Sequence, residues 1–154
     1  MIFNIPPNNE ILEITTIVLD LNGTLSVKGV VANSTKELIR QLKQLGYRLV
    51  LISGDIRGSA KTIADELGLD LYLGKTSEEK AAQMHQFDKS KTAAIGNARI
   101  DIGTFENAAL RIATIQAEGI HTGILAYVDI LIPSIDEALK LFMDKKAMEG
   151  TLRT

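Results

Sequence analysis

The sequence predicts a three-layer α/β/α fold around a mostly parallel sheet, and three observations predict it. Short runs of β-branched and aliphatic residues alternate with segments whose apolar residues recur at helical spacing. The connections between them are short, as repeated βα units require. Three of the apolar runs also lead into polar pairs: Asp20 with Asn22, Ser53 with Asp55, and Asn97 with Asp101. Ligands bind at the carboxyl ends of strands in open α/β sheets, so these groups share the edge where a site belongs.

Taken in order, Ile2-Phe3-Asn4-Ile5 reads as a short strand that turns at Pro6-Pro7-Asn8-Asn9 into the run Ile11 to Leu19. This makes an N-terminal edge hairpin over residues 1–20, with prolines where an edge tolerates them. Thr16 to Leu19 is a buried strand that delivers Asp20 at its end. Asn33 or Ser34 caps a helix whose apolar face is Leu38, Ile39, Leu42 and Leu45, closed by Gly46. Tyr47 to Ile52 is the next strand, and Ser53-Gly54-Asp55 ends it. Ser59 to Leu67 is a helix closed by Gly68, and Leu69 to Leu73 a strand. Ser77 opens a helix with Glu78, Glu79 and Lys80 in its first turns. Thr92 to Ile95 is a strand entering Gly96-Asn97-Ala98-Arg99-Ile100-Asp101. Phe105 to Ala109 read as helical, Leu110 to Ile115 and Ile130 to Ile132 as extended. A last helix runs from Ile135 or Asp136 to Met143. The polar stretch from Lys145 to Thr154 reads as a mobile tail.

Composition bounds the function. At 154 residues and 16.8 kDa, residues 1–154 suit one domain with a sizeable core. A net charge of -2 and a pI near 5.7 leave no electrostatic footprint for nucleic acid. The absence of cysteine excludes disulfides, thiolate metal sites and cysteine nucleophiles, and fits a reducing compartment. The N-terminal MIFNIPPNNE lacks the pattern of a signal peptide, and no apolar stretch approaches the roughly 20 residues of a membrane span. The expectation is a cytoplasmic protein without membrane or nucleic-acid partners.

The polar strand ends make sense together if the substrate is a phosphate ester. Asp20 is then a carboxylate nucleophile that takes the phosphoryl group as an aspartyl-phosphate, splitting transfer into two steps. Carboxylate and phosphate repel, so a Mg²⁺ ion belongs between them, and Mg²⁺ takes hard oxygen ligands. Asp20, the Asn22 carbonyl, Asp101 and the Asn97 side-chain oxygen are the candidate ligands. Gly23, Thr24 and Gly54 offer main-chain amides and a hydroxyl to an anion. Ser53 donates a hydrogen bond to a phosphoryl oxygen, and Lys80 neutralises developing charge, with Lys75 competing for that role. Each residue also has a plainer reading. Asp55 reads equally as a helix cap, and Asp101 as a first-turn carboxylate stabilised by the helix dipole. His85 and His121 have no paired ligand at useful spacing. Lys61, Arg57 and Arg99 read as surface charges, with Arg57 or Arg99 within reach of a substrate at the open edge.

This arrangement resembles the haloacid dehalogenase superfamily of phosphotransferases and phosphatases. Asp20-Leu21-Asn22-Gly23-Thr24-Leu25 resembles its first motif, Ser53 its second, Lys80 its third and Gly96-Asn97-Ala98-Arg99-Ile100-Asp101 its acidic fourth. Within it, the chain looks most like the capless soluble P-type ATPase-like group, on Leu19 to Thr24, Ala94-Ile95-Gly96-Asn97, Gln116-Ala117-Glu118-Gly119 and Thr151-Leu152-Arg153. The resemblance implies a Rossmann-like sheet with no inserted cap, a Mg²⁺-dependent phosphohydrolase or phosphotransferase, and room for a homo-oligomer to close the site. ATP hydrolysis is not implied, because P-type pumps use a separate nucleotide-binding domain. Active phosphatases of the superfamily usually carry aspartate where this chain has Asn22, and many carry aspartate where it has Asn97; Ala98 and Ile100 stand for the expected glycine and asparagine. An amide exchanges no proton near neutral pH, so turnover is expected to be slow, and metal binding weak. The competing expectation is a regulatory or binding module that keeps the fold without the turnover.

Overall fold

The computed structural model describes residues 1–55 and 58–154. The chain opens with a hairpin, β1 (Ile2–Ile5) against β2 (Glu10–Glu13), paired antiparallel as a two-stranded sheet of its own. The sequence suggests one edge strand running to Leu19. Instead the strand stops at Glu13, and β3 (Thr16–Leu19) belongs to a different sheet. The physical reason is burial: all four residues of β3 are buried, whereas Glu10 and Ile11 are exposed.

After α1 (Asn33–Gln44), the order is β4 (Arg48–Ser53), α2 (Ser59–Leu67), β5 (Asp70–Leu73), α3 (Ser77–Met84) and β6 (Thr92–Gly96). Then come α4 (Ile102–Phe105), β7 (Leu110–Thr114), β8 (Ile130–Ile132), α5 (Ile135–Leu141) and α6 (Lys145–Thr151). Six strands make one parallel sheet in the order β5-β4-β3-β6-β7-β8. The connections run outward from β3 to β4 and β5, then return to β6 and run the other way. The direction therefore reverses between β3 and β6, where an α/β sheet opens a crevice for ligands.

Alternation along the strands fills both faces. Ile17, Leu19, Leu49, Leu51, Ala93, Ile95 and Ile112 join the core shared with α1, α2, α5 and α6. Val18, Val50, Ile52, Ala94 and Ala113 face Met84 of α3 and Phe105 of α4. Strands buried on both sides read as continuous apolar runs, which is why they were visible in the sequence.

The remaining differences are at element ends. The residue capping α1 is Ala32, which has no side-chain cap, and Asn33 is already helical. The helix expected from Phe105 starts earlier: a 3-10 turn at Arg99–Asp101 feeds α4, which ends at Phe105. The last residues are not a loose tail. Asp144 accepts a hydrogen bond from the amide of Ala147, α6 follows, and Met148 is fully buried in the core. Met148, with Ala147 and Leu152 packed beside it, docks an otherwise polar stretch, and composition alone hides that. No helix among the described residues is long and apolar enough to cross a membrane.

Candidate active site

At the sheet edge where β3 and β6 end, Asp20 follows β3 and Asn97 follows β6; Ser53 is the last residue of β4. The amide of Asp20 donates to the carbonyl of Ile95 (3.0 Å), so the nucleophile candidate is fixed to the neighbouring strand by the parallel ladder itself. The chain then turns tightly. Leu25 N–H returns to the Asp20 carbonyl (3.2 Å) and Gly23 N–H to that of Ser26 (2.8 Å). Gly23 has φ +78°, and a Cβ there would lie 2.3 Å from Asn97 Nδ2. Only glycine meets both demands.

Lys80 is the centre of the arrangement. Thr76 caps α3 by accepting the Glu79 amide, and the helix turns Lys80 inward until its side chain is 1% exposed. Its Nζ donates to Asp20 Oδ1 and Asp101 Oδ1, each at 2.7 Å. A lysine one turn into a helix is ordinarily solvated; this one bridges two carboxylates. Lys75, the competing candidate, is exposed and sits on the rim of the same cavity.

Asp101 is wholly buried. Its Oδ2 accepts the amides of Asn97 (3.0 Å) and Ala98 (2.9 Å), while Oδ1 takes Lys80. Gly96 leaves room for it, since a Cβ there would come within 2.5 Å of Oδ2. Both oxygens are engaged by protein donors, so Asp101 anchors Lys80 and the 96–101 turn. Asn97 is also tied down. Its Oδ1 accepts from Thr24 Oγ1 (3.2 Å) and its Nδ2 donates to the Gly119 carbonyl (2.9 Å).

Asp20 is different. Its carboxyl is 12% exposed and lines a cavity of about 580 Å³ with Asn22, Ser53, Lys75, Lys80 and Ile100. Burial, with Asp101 adding repulsion, pushes the Asp20 carboxyl up to about 6 against the opposing pull of Lys80. Lys80 moves the other way. Burial alone would lower it, but the charges of Asp20 and Asp101 together hold it above the ordinary lysine value. Asp20 is thus a carboxylate held at a cost, between the Lys80 cation and the Leu21 amide that favour its ionised form, with its carboxyl on the cavity wall.

Ser53 is buried and its Oγ accepts the Asp55 amide (3.1 Å), which leaves the hydroxyl proton to donate. Asp55 itself caps the next helix: its Oδ2 accepts from Ser59 Oγ and, at 2.7 Å, from the Ala60 amide. Asn22 is exposed on the cavity wall. Arg57 lies outside the described residues; Arg99 is exposed, and Lys61 pairs with Asp65. His85 is exposed, and His121 Nδ1 accepts the amide of Gly123 (3.1 Å), so neither joins the site.

Among the described residues no group of three His, Cys, Asp or Glu side chains is placed to hold a metal. The oxygen chemistry still fits a hard divalent cation held through one carboxylate and waters, the habit of Mg²⁺. Asp20 supplies that carboxylate on the cavity wall, and Asn22 supplies a neutral oxygen beside it.

Gln116 was missed as a site residue. It follows β7, and its amide spans the Asn-Gly-Thr turn and the start of α5. Two signals pointed to it: its place in the Gln116–Gly119 stretch that carries the resemblance, and its position just past a fourth strand that ends at the same edge.

Comparison with known proteins agrees with this geometry. A family model described as haloacid dehalogenase-like hydrolase matches residues 20–109. A soluble P-type ATPase-like phosphatase of Methanocaldococcus jannaschii is 26% identical over 147 residues, 92% of this chain and 53% of that protein. A copper-exporting P-type ATPase of Staphylococcus haemolyticus is 34% identical over 96 residues, 60% of this chain and 12% of the ATPase. The chain therefore spans about half the length of one of these relatives and about an eighth of the other. Among solved structures, 3-deoxy-D-manno-octulosonate 8-phosphate phosphatase from Moraxella catarrhalis, in complex with magnesium, phosphate and a KDO molecule, superposes with a TM-score of 0.72. It is 19% identical, and the match covers 91% of this chain and 94% of that one.

Proposed function

Because this chain belongs to the haloacid dehalogenase-like hydrolases, we propose that it is a phosphohydrolase acting through phospho-Asp20, with slow turnover. The observation that carries the reading is the buried Asp20–Lys80–Asp101 chain, in which Asp20 alone of the two carboxylates opens on the cavity. That is the arrangement a carboxylate nucleophile needs: an anchored cation on one oxygen and access for phosphorus to the other.

In the first step an Asp20 oxygen forms a bond to phosphorus, and the bond between phosphorus and the ester oxygen breaks. The leaving alkoxide must collect a proton. In this chain Asn22 occupies the cavity wall and cannot supply one, so the proton comes from water. Lys80 stays paired through the step, offsetting the negative charge that gathers between Asp20 and the phosphoryl oxygens. Ser53 donates its free hydroxyl proton to one of those oxygens, and the main-chain amides around Gly23, Thr24 and Gly54 face the others. In the second step water attacks phosphorus, the bond between phosphorus and Asp20 breaks to return the carboxylate, and inorganic phosphate leaves; Asn22 cannot take the water's proton, which passes to solvent. A bound Mg²⁺, held by Asp20 and by the neutral oxygens of Asn22 and Asn97, would supply charge compensation between carboxylate and phosphate.

The segment between Leu25 and α1 forms only a tight turn, with a bridge between Val27 and Val30, so the cavity stays open above Asp20. This suits a bulky or protein-borne phosphate ester, or closure by a second copy of the chain. The amides at Asn22 and Asn97 favour a second reading, a binding module that holds phosphate without turnover.

The test is phosphate release from a generic aryl phosphate with and without Mg²⁺, run beside trapping of Asp20 with a beryllium fluoride analogue. Release that needs Mg²⁺ and disappears in Asp20→Asn supports the hydrolase. Release that persists in Asp20→Asn overturns the mechanism, and analogue binding without any release selects the binding module.

A further inference from the structure

Residues 115–121 leave β7 and cross the site's edge, touching the loops that follow β3 and β6 and the start of α5. Gln116 Nε2 donates to the carbonyls of Gly23 (2.9 Å) and Thr24 (2.8 Å), and its Oε1 accepts the Ile135 amide (3.0 Å) at the start of α5. Glu118 accepts the amide of Lys28. The Gly119 carbonyl receives Asn97 Nδ2 (2.9 Å), and the His121 amide donates to the Asn97 carbonyl (3.0 Å).

The chemistry of Gln116 leaves no freedom in this. Two carbonyls require the NH₂ side of its amide and one N–H requires the oxygen side, so a flipped amide would lose all three contacts. Neither a carboxylate nor an aliphatic chain of the same length satisfies the set. The two carbonyls held are those of the turn that immediately follows Asp20 and Asn22, and α5 behind Gln116 is packed into the core through Ile135, Ala138 and Leu139. The turn's own bonds run from the Gly23 amide to Ser26 (2.8 Å), from the Thr24 and Ser26 amides to Leu21 (3.4 and 2.8 Å) and from the Leu25 amide to Asp20 (3.2 Å), and they leave the Gly23 and Thr24 carbonyls to Gln116.

We propose that Gln116 is the positioning residue of the nucleophile turn. It ties the Asn22-Gly23-Thr24 backbone to α5, and thereby sets where Asp20 and the Asn22 carbonyl stand in the cavity. The role in turnover rests on the phosphohydrolase reading; the tether does not. A displacement of about 1 Å at a reacting group costs about 10²-fold in rate, so loss of the tether is read in kcat rather than KM.

The experiment compares the parent protein with Gln116→Met, which keeps the volume and removes all three contacts. Gln116→Glu is the second variant; it keeps the shape and turns a carboxylate towards two carbonyls. Amide hydrogen exchange reads the tether without any substrate. The expected result is roughly tenfold less protection at Gly23, Leu25 and Ser26, with the β4 and β6 amides unchanged. The aryl phosphate assay reads the positioning: kcat per folded enzyme, with the folded fraction measured by circular dichroism in the assay buffer, falls about 30-fold or more while KM stays within about threefold. Unchanged exchange at the turn overturns the tether. Exchange that rises while kcat holds within about threefold overturns the positioning role. If the parent releases no phosphate at all, the phosphohydrolase reading has failed, and exchange alone still decides for or against the tether.

Discussion

Replacing the Asp20 carboxylate should make the metal-free protein more stable, and Asp20→Asn is the change that shows it. Asp20 sits with one side on Lys80 (2.7 Å), yet burial and the Asp101 charge lift its carboxyl from 3.8 to about 6. At roughly 1.4 kcal/mol per unit, holding it ionised costs the fold about 3 kcal/mol at pH 8. The sign follows from proton counting. Between the unfolded value near 4 and the folded value near 6, the native state binds more protons than the unfolded one. Stability from this group is therefore whole below about pH 4 and is lost as pH rises through about 6. Asparagine resembles the protonated form and keeps an oxygen for Lys80, so the variant should gain about 2–3 kcal/mol at pH 8 and almost nothing at pH 4. Urea unfolding in EDTA measures it: a midpoint shift of about 1 M or more, with an unchanged slope, is expected at pH 8. Excess Mg²⁺ should narrow the gap, because a cation that binds native Asp20 stabilises only the parent. A variant no more stable than the parent at pH 8, or a gap undiminished at pH 4, refutes the reasoning.

Lys80→Met leaves two buried carboxylates facing each other, so stability should fall by about 3–5 kcal/mol, roughly 10 °C in melting temperature for a chain of this size. Adding Asp20→Asn should recover part of the loss, and a thermal melt of the double variant checks the coupling. Asn22→Asp restores a proton donor on the cavity wall and should raise kcat on an aryl phosphate by about 10²-fold or more; no gain in a folded variant means the missing acid is not what limits turnover. Affinity for Mn²⁺, followed by titration, should be flat above about pH 6 and weaken about tenfold per unit below it, as Asp20 must lose its proton to bind.

How much of this was legible in the sequence differs by residue, and the differences have physical causes. Asp20, Ser53 and Asn97 could be found because each ends a strand buried on both faces, whose apolar run marks its own boundary. Lys80 was legible by order but not by environment: nothing local says that a lysine near the start of a helix will be 1% exposed. That depends on Gly74 opposite it, where a Cβ would come within 2.9 Å of Lys80 Cγ, and on two carboxylates from distant segments. Asp101 was found for its charge, but its bonds to Lys80 and to the amides of Asn97 and Ala98 depend on the fold of the 96–101 turn, which the sequence does not show. The hairpin, too, was legible while its partner was not, because alternation fixes which side of a strand is buried but not which sheet receives it.

The two asparagines of the candidate site, Asn22 and Asn97, are not equivalent, and the structure separates them. Asn22 is exposed on the cavity wall, so an aspartate there meets only solvent and substrate. Asn97 is 6% exposed, and its Nδ2 is the donor that the Gly119 carbonyl requires. A carboxylate at 97 would set two acceptors against each other in a buried place, at a cost of about 1–3 kcal/mol or more. The same loop carries Gln116, whose NH₂ group serves the Gly23 and Thr24 carbonyls. Residues 116–121 therefore present demands that only amide donors meet, at Asn97 on one side and from Gln116 on the other. The neutral residue in the fourth motif is thus built into how this chain supports its nucleophile turn. Asn22 carries no such structural duty, which leaves it as the position where a single change can alter the chemistry without disturbing the fold.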